Sequence, residues 1–169
     1  MPISNDFYGS VVEAAEYFGC KLRAQAWDDA KPRERKSALV QATQIIDTLS
    51  YKGCKASVYV LPETATEAEI RQAEYDQPLE FPRDLDSTVP EVIRKACYEI
   101  AYALLDGVDP EMELESLGVS SQGLESVRTT YARNQRPVDH IINGVPSAQA
   151  WRWLLPFLRD GQSIHITRV

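Results

Sequence analysis

The segment 89–106 has the clearest helical pattern in the chain and limits what the rest of the sequence can form around it. Pro90 is suited to the first turn of a helix and Gly107 to its end. Between them, apolar residues recur on one broad face: Val92, Ile93, Ala96, Ile100, Ala103 and Leu104. Because such a face must be buried against other elements, we predict that this helix is the central element of a mainly α-helical core.

Two further amphipathic segments precede it. Ser10 and Glu13 have the spacing of a capping box, which predicts a helix over about 10–25. Pro32 is suited to the first turn of a second helix, which should end before Gly53. We expect their apolar residues to face the core, namely Val12, Ala15, Phe18 and Leu22 in the first helix and Leu39, Ala42, Ile46 and Leu49 in the second. The early face of the second helix is basic, with Arg33, Arg35 and Lys36.

Residues 51–83 mostly lack helical periodicity. Residues 51–65 mix β-branched residues with glycine and proline, which indicates an irregular or short-strand connection. Thr66 and Glu69 form a second capping-box pattern and predict a short helix through about Tyr75.

The segment 77–83 contains two prolines, which exclude a regular helix and predict a loop of fixed shape. We expect this loop to be anchored by two side chains. Phe81 should occupy an apolar pocket on the bundle, and Arg83 should bond a carboxylate or the carbonyl groups at a helix end.

The C-terminal part is predicted to be less compact. An acidic turn should follow Asp109, and residues 117–138, rich in small and polar residues, predict an extended arm or hairpin. Ser147 is suited to cap a last helix that carries Trp151 and Trp153, and Pro156 should bend or end it. Residues 163–169 alternate as a strand does, which predicts a tail that pairs with its own domain edge or with a neighbour.

The fold class predicted from these patterns is mainly α, a small helical bundle with an extended arm or hairpin and a C-terminal strand-like tail. The length favours one domain over 1–169. Within it we predict a helical core over about 10–106, the arm over about 117–138, and the C-terminal helix and tail over about 147–169. No apolar stretch approaches the roughly 20 residues that cross a bilayer, and the first residues lack a secretion pattern. The three cysteines, odd in number and without a C-x-x-C pair, fit a reducing compartment.

Charge is distributed unevenly along the chain. Residues 62–118 hold 15 acidic and 4 basic side chains, a net charge of −11, whereas residues 119–169 hold 3 acidic and 6 basic ones, a net charge of +3. An acidic segment of this size repels a polyanion, and a basic surface of another copy could meet it. A solvated acidic face without any partner is the alternative interpretation.

Patterns that carry enzyme chemistry are missing from the sequence. His140 and His165 do not have metal-ligand spacing, and the carboxylates in 106–115 do not match a calcium-binding loop. The sequence also lacks a P-loop and a dinucleotide-binding fingerprint, and Gly118 to Gln122 only approaches a nucleophile elbow. We therefore predict a protein that is not an enzyme and has no catalytic, cofactor-binding or metal site.

Aromatic residues alternate with arginines in two places. Tyr131 lies close to Arg133 and Arg136, and Trp151 and Trp153 flank an arginine. This arrangement could stack bases and contact phosphates of single-stranded DNA. Packing at the end of the domain or at a subunit interface is the alternative, and we favour it for the two tryptophans.

Several short stretches follow one another in an order that is typical of one group of proteins. They are residues 14–18 (AAEYF) with Trp27, 38–47 (ALVQATQIID), 51–53 (YKG), 77–83 (QPLEFPR), Val89-Pro90 with the helix after it, and 154–158 (LLPFL). Together they resemble the phage head–tail adaptor, or head-completion, proteins, some of which are labelled DnaT-like single-stranded DNA-binding proteins. The family pattern Q-x-L-x-W-P-R is met with Phe81 in place of tryptophan, and either ring would fill an apolar pocket.

The resemblance implies a structural protein of the virion at the head–tail interface, assembled in the host cytoplasm. Its copies would join head to tail into a ring of about twelve, a heterologous arrangement that closes. The ring would dock below the portal protein, extend the channel for double-stranded DNA and present a platform for a downstream tail or nozzle protein, without a membrane or a cofactor. Structural or interface roles would then fall to Trp27, Phe81, Arg83, Arg133, Arg136, Trp151 and Trp153. Carboxylates such as Glu111, Glu113 and Glu115 would line the channel and let DNA slide without binding.

Two other functions remain open at this stage. The label of the group, taken literally, describes a single-stranded DNA-binding accessory protein of replication. A small-molecule enzyme is the third class, for which the sequence offers no site.

Overall fold

In the computed structural model of the chain, residues 7–118, 121–124, 127–130 and 139–159 are described. This part is mainly α-helical, as predicted. Its elements are α1 (Val11–Gly19), α2 (Gln25–Asp29), α3 (Pro32–Asp47), α4 (Ala56–Tyr59), α5 (Glu67–Asp76), α6 (Glu91–Leu105), α7 (Pro110–Gly118), β1 (Ser121–Leu124), β2 (Val127–Thr130), α8 (Asp139–Ile142) and α9 (Ala148–Leu154), followed by a 3₁₀ turn at Leu155–Phe157. None of the helices in the described ranges is long and apolar enough to span a membrane.

Helix α6 is the centre of the core, as its pattern predicts. It packs against α3 on one side and α9 on another, and also contacts α1 and α2. Its fully buried residues include Ile93, Ala96, Cys97, Ile100 and Ala101. Alanine at two of these positions lets neighbouring helices approach closely because the side chain is short. The expectation that Val92 faces inward is wrong: it is exposed, because it lies at the edge of the stripe that begins at Ile93.

Helix α1 is shorter than predicted and turns a different face inward. It ends at Gly19 instead of continuing to about residue 25, and Ser10 caps its start by accepting a hydrogen bond from the Glu13 amide, at 3.1 Å. Ala14 and Phe18 are buried, whereas Val12 and Leu22 are exposed, against our expectation. The chain must turn early because Trp27 of α2 packs on Phe18 in the core, with ring centroids 4.8 Å apart. Ala15, also expected to face inward, is exposed as well.

Helix α3 begins at Pro32 as predicted and buries the expected face. Leu39, Ala42 and Ile46 are fully buried, and the predicted inner residue Leu49, just beyond the helix, packs partly buried against them. The buried hydroxyl of Thr43 accepts a hydrogen bond from the Tyr8 amide at 3.0 Å, which fixes the N-terminal segment onto this helix.

The connection from Ser50 to Tyr59 is more ordered than the sequence indicates. Tyr51 forms an antiparallel β-bridge with Leu158, and Lys55 forms one with Arg83. The connection therefore lies between two strand-like stretches, and it ends in the short helix α4. Helix α5 then starts at the predicted capping box of Thr66 and Glu69.

The acidic turn predicted after Asp109 is in fact the start of helix α7. The Asp109 carboxylate accepts a hydrogen bond from the Glu111 amide at 3.0 Å, and Pro110 occupies the first helical position, so both stabilise a helix start that we did not predict. The arm predicted over 117–138 accordingly begins after Gly118. It contains the antiparallel hairpin β1–β2, with Ser121 opposite Thr130. Residues 119–120, 125–126 and 131–138 lie outside the described ranges.

The C-terminal helix α9 is part of the helical core. Ser147 caps it as predicted, accepting a hydrogen bond from the Ala150 amide at 3.2 Å, and Ala150 and Leu154 are fully buried. The helical core therefore extends beyond the predicted 10–106 segment. The α-helix gives way to the 3₁₀ turn at Leu155, as Pro156 predicts. The predicted strand-like tail, residues 163–169, lies outside the described residues.

Candidate assembly surfaces

Phe81 anchors the loop that contains the two prolines. Its side chain is 2 % exposed and makes edge-on ring contacts with Tyr8, Tyr51 and Phe157, at centroid distances of 6.0, 4.8 and 5.7 Å. These rings come from the N-terminal segment, the connection after α3 and the C-terminal 3₁₀ turn. Phe81 thus joins three distant parts of the chain in one apolar cluster.

Arg83 is the polar anchor of the same loop. Its Nε donates to the Lys52 carbonyl at 3.0 Å and its Nη2 to the Gly53 carbonyl at 2.8 Å. Its Nη1 forms an ion pair with the Glu80 carboxylate. The carboxylate partner was expected, but the carbonyl groups belong to the connection before α4 and not to a helix end. Arg83 is 9 % exposed, so these bonds are largely shielded from water.

Three polar groups that the sequence analysis did not identify complete the anchor. The Tyr8 hydroxyl donates to the Asp47 carboxylate and accepts from the Phe81 amide at 3.2 Å. Burial raises the pKa of the Asp47 carboxyl group, and the hydrogen bond from Tyr8 partly opposes this shift. Lys55 forms an ion pair with Glu80, with a nitrogen–oxygen distance of 3.6 Å. Asp47 lies on the inner face of α3, four residues after Thr43. An acidic residue at such a position was the one sequence signal that could have indicated a buried polar partner.

The loop and its anchor lie next to a surface formed by α4 and α5. Helix α5 contains no buried residue, and its main helix contact is with α4. Tyr59, Val60 and Tyr75 are exposed on this pair of helices, Val60 and Tyr75 by about four-fifths of their surface. We call the segment 56–76 the α4–α5 projection. Large apolar side chains without cover in the same chain are typical of a contact surface.

A basic surface lies at the start of α3. Arg33 and Lys36 are one helical turn apart, exposed, and without an ion pair in the described part of the chain. Arg35 belongs to the same basic face in the sequence, but its side chain bonds to α2. Its Nε donates to the Trp27 carbonyl at 2.9 Å and its Nη2 to the Asp28 carbonyl at 3.0 Å. We call Arg33 and Lys36 the basic start of α3.

The proposed channel-lining carboxylates are carried by α7. Glu111 and Glu115 are exposed, one helical turn apart, and Glu113 between them is partly exposed. Met112 and Leu114 on the same helix are exposed as well. Beyond α7, strands β1 and β2 pack mainly against each other. The acidic helix α7 is therefore followed in the chain by the β1–β2 hairpin.

The remaining site residues predicted from the sequence lie apart from one another. Trp27 is 1 % exposed and belongs to the core. Trp151 and Trp153 are half-buried against the core, with Arg152 exposed between them, which is the packing arrangement that we favoured. Arg133 and Arg136 lie outside the described residues.

No cluster of metal-ligating side chains occurs in the part of the chain that the structure describes. His140 is partly exposed, and its carbonyl group accepts a hydrogen bond from the Val145 amide at 2.7 Å. Cys97, fully buried, has its thiol pKa raised to about 12 by burial, so it stays protonated at neutral pH.

Comparison with models of known families gives a match. Residues 4–169 match the model of a family described as "Putative DnaT-like ssDNA binding protein". No curated protein and no solved structure shows significant similarity to the chain. The match includes the helical core, the hairpin and the C-terminal helix, so the family unit is nearly the whole chain. By this match the chain belongs to the family with that description.

Proposed function

We propose that the protein is a structural component of a phage virion, an adaptor that forms a ring between the portal and the tail. The observation that carries this proposal is that two elements pack mainly on their neighbour in the sequence within the described part of the chain. Helix α5 buries none of its residues, and the β1–β2 hairpin packs mainly on itself. An isolated two-stranded hairpin is marginally stable in water, so contacts with other chains are expected to support it.

The proposed partners are further copies of this chain, the portal protein, a downstream tail or nozzle protein, and double-stranded DNA that passes through the channel. Adding purified portal protein to the purified chain tests the assembly directly. Sedimentation velocity should show a complex much larger than the portal alone, and electron microscopy should show a ring at its tail-facing end. A portal that sediments unchanged would contradict the proposal.

The acidic helix α7 fits a channel wall that does not bind DNA. Glu111 and Glu115 are exposed, and their charges disfavour contact with phosphates. Each lysine that contacts a phosphate instead adds affinity through counterion release. In this arrangement, the acidic side chains keep friction low while the genome moves.

Replacing both carboxylates, Glu111→Lys with Glu115→Lys, should therefore increase DNA binding. Since the positions are exposed, the free energy of unfolding should change by about 1 kcal/mol or less. In DNA titrations across a salt series, the plot of log affinity against log salt should steepen by about 0.9 for each new phosphate contact.

The control is Glu16→Lys with Glu91→Lys, the same charge change at exposed positions of α1 and α6, although the second change also removes the ion pair with Lys95. We call this variant the control pair. Equal DNA affinity for the α7 variant and the control pair would show that α7 does not line a DNA path.

Deleting residues 160–169 should impair ring formation or portal docking and leave the monomer folded. The last described backbone bonds of the chain connect Arg159 with Ser50, at 3.0 Å, and Lys52 with Phe157, at 2.8 Å, and the deletion retains both. The truncated chain should keep its melting temperature and lose the large species in sedimentation. Normal assembly of the truncated chain would make the tail a passive terminus.

A second candidate function is single-stranded DNA binding in replication, which the family description favours. Arg152 is exposed between two half-buried tryptophans, the one such arrangement in the described ranges. The exposed aromatic residues Tyr59 and Tyr75, however, lie on an acidic segment, which is unfavourable for stacking bases. We expect the unaltered chain to bind single-stranded DNA only with a dissociation constant of about 10⁻⁴ to 10⁻⁶ M. Tight binding at physiological salt that Arg152→Ala weakens would favour the second candidate over the adaptor.

A further inference from the structure

The α4–α5 projection is both apolar and acidic. Tyr59, Val60 and Tyr75 are exposed. From Glu63 to Asp76 the chain holds five acidic side chains and one basic one, Arg71, a net charge of −4. Exposed aromatic and apolar side chains on a segment rich in charge have the composition of an interface core and its rim.

The basic start of α3 has the complementary charge. Residues 31–36 hold four basic side chains and one acidic one, a net charge of +3. Arg33 and Lys36 make no ion pair within the described ranges, so their charges are free to meet a partner.

These two surfaces lie at opposite ends of α3. The projection is fixed near the C-terminal end of this helix, because the Asp47 carboxylate accepts from the Glu80 amide at 3.4 Å and Glu80 pairs with Lys55, which precedes α4. Arg33 lies fourteen residues before Asp47 on the helix, which at 1.5 Å per residue is about 21 Å. Helix α5 packs on α4 and not along α3. The opposite charges are therefore separated within one chain.

We propose that the α4–α5 projection of one copy docks on the basic start of α3 of a second copy. Tyr59, Val60 and Tyr75 form the apolar centre of this contact, and the carboxylates of the projection pair with Arg33 and Lys36 at its rim. Because the two surfaces differ and lie at opposite ends, the contact is heterologous and repeats from copy to copy. This inference rests on the proposed ring assembly and names the surfaces that join its neighbours.

Charge reversal of each surface tests the contact. The first variant, Arg33→Glu with Lys36→Glu, makes residues 31–36 net negative. The second variant, Glu63→Lys with Glu67→Lys and Glu74→Lys, makes the projection net positive. Each variant alone should lose the assembled species in sedimentation velocity, with and without portal protein. The control pair should assemble like the unaltered chain.

Mixing the two variants gives the decisive test of the contact. In an equimolar mixture, the unchanged projection of the first variant can meet the unchanged basic start of the second, and the two altered surfaces also carry opposite charges. Assembly should return in the mixture, and in a single chain that carries all five substitutions. Circular dichroism of each variant checks that helix content is preserved, since Glu67→Lys removes the pair with Arg71.

The outcomes separate the failure of this contact from the failure of the ring. If the unaltered chain assembles and both reversed variants assemble equally well, the contact is wrong and the ring stands. If the unaltered chain stays monomeric with portal protein, both proposals fail. If the first variant loses single-stranded DNA binding and keeps its assembly, the basic start of α3 is a nucleic-acid surface and the contact is overturned.

Discussion

Replacing Phe81 with alanine should lower the free energy of unfolding by about 3–5 kcal/mol, because it removes a buried ring and leaves a cavity. The ring is almost fully buried and touches Tyr8, Tyr51 and Phe157, so the surrounding side chains belong to three separate segments. Such a site cannot collapse easily around a methyl group. Denaturation in urea, followed by circular dichroism, should show the midpoint shift or the loss of a folded baseline.

Tyr75→Ala is the matched control for this change. Tyr75 is also aromatic, but it is exposed on α5, and its removal should change the free energy of unfolding by about 0.5 kcal/mol or less. If Phe81→Ala melted at the temperature of the unaltered chain, Phe81 would not be an anchor of the core. The conservative change Phe81→Trp tests whether the pocket accepts the larger ring of the family pattern.

Replacing Arg83 with methionine should lower the free energy of unfolding by about 3–5 kcal/mol, since it breaks a shielded ion pair and leaves two backbone carbonyl groups without their donors. The carbonyl groups of Lys52 and Gly53 would lose their donors, and the Glu80 carboxylate would keep only Lys55. Methionine preserves much of the side-chain length, so the loss reports on the polar contacts.

Arg83→Lys separates charge from geometry. A lysine keeps the positive charge but cannot reach two carbonyl groups and a carboxylate with a planar fork of donors, so we expect an intermediate loss of stability. If Arg83→Lys were as stable as the unaltered chain, charge alone would account for the role of Arg83. If Arg83→Met were equally stable, the polar anchor would contribute nothing to the fold.

The helices α3 and α6 were predictable because their patterns are long and their starts carry proline. The inner face of α1 was not, because in a short helix two faces can satisfy the same spacing, and the position of Trp27 in α2 decides between them. Helix α7 was missed because acidic and apolar residues alternate over 111–115 instead of recurring at helical spacing, and because its start depends on the Asp109 side chain. The hairpin was predicted as a type of element, but only backbone pairing fixes where it begins.

The candidate surfaces were predictable in part. The burial of Phe81 and the ion pair of Arg83 follow from the chemistry of the two-proline loop. Tyr8 and Asp47 were not recognised, because they lie 39 residues apart and no local pattern indicates that they form one hydrogen bond. The exposure of α5 was not predicted either, because the capping box of Thr66 and Glu69 indicates a helix but not what packs on it.

The pairing of Ser50 and Lys52 with Arg159 and Phe157 has a consequence for when the protein can fold during synthesis. While the ribosome is still making the C-terminal helix, the aromatic cluster around Phe81 lacks Phe157. The connection after α3 then also lacks residues 157–159, with which its backbone pairs. The core therefore closes only after residues 148–159 have left the ribosome tunnel. A chain that ends before residue 148, because of a premature stop or a cleaved message, would lack both α9 and these backbone bonds. Such a fragment should be degraded as an unfolded protein.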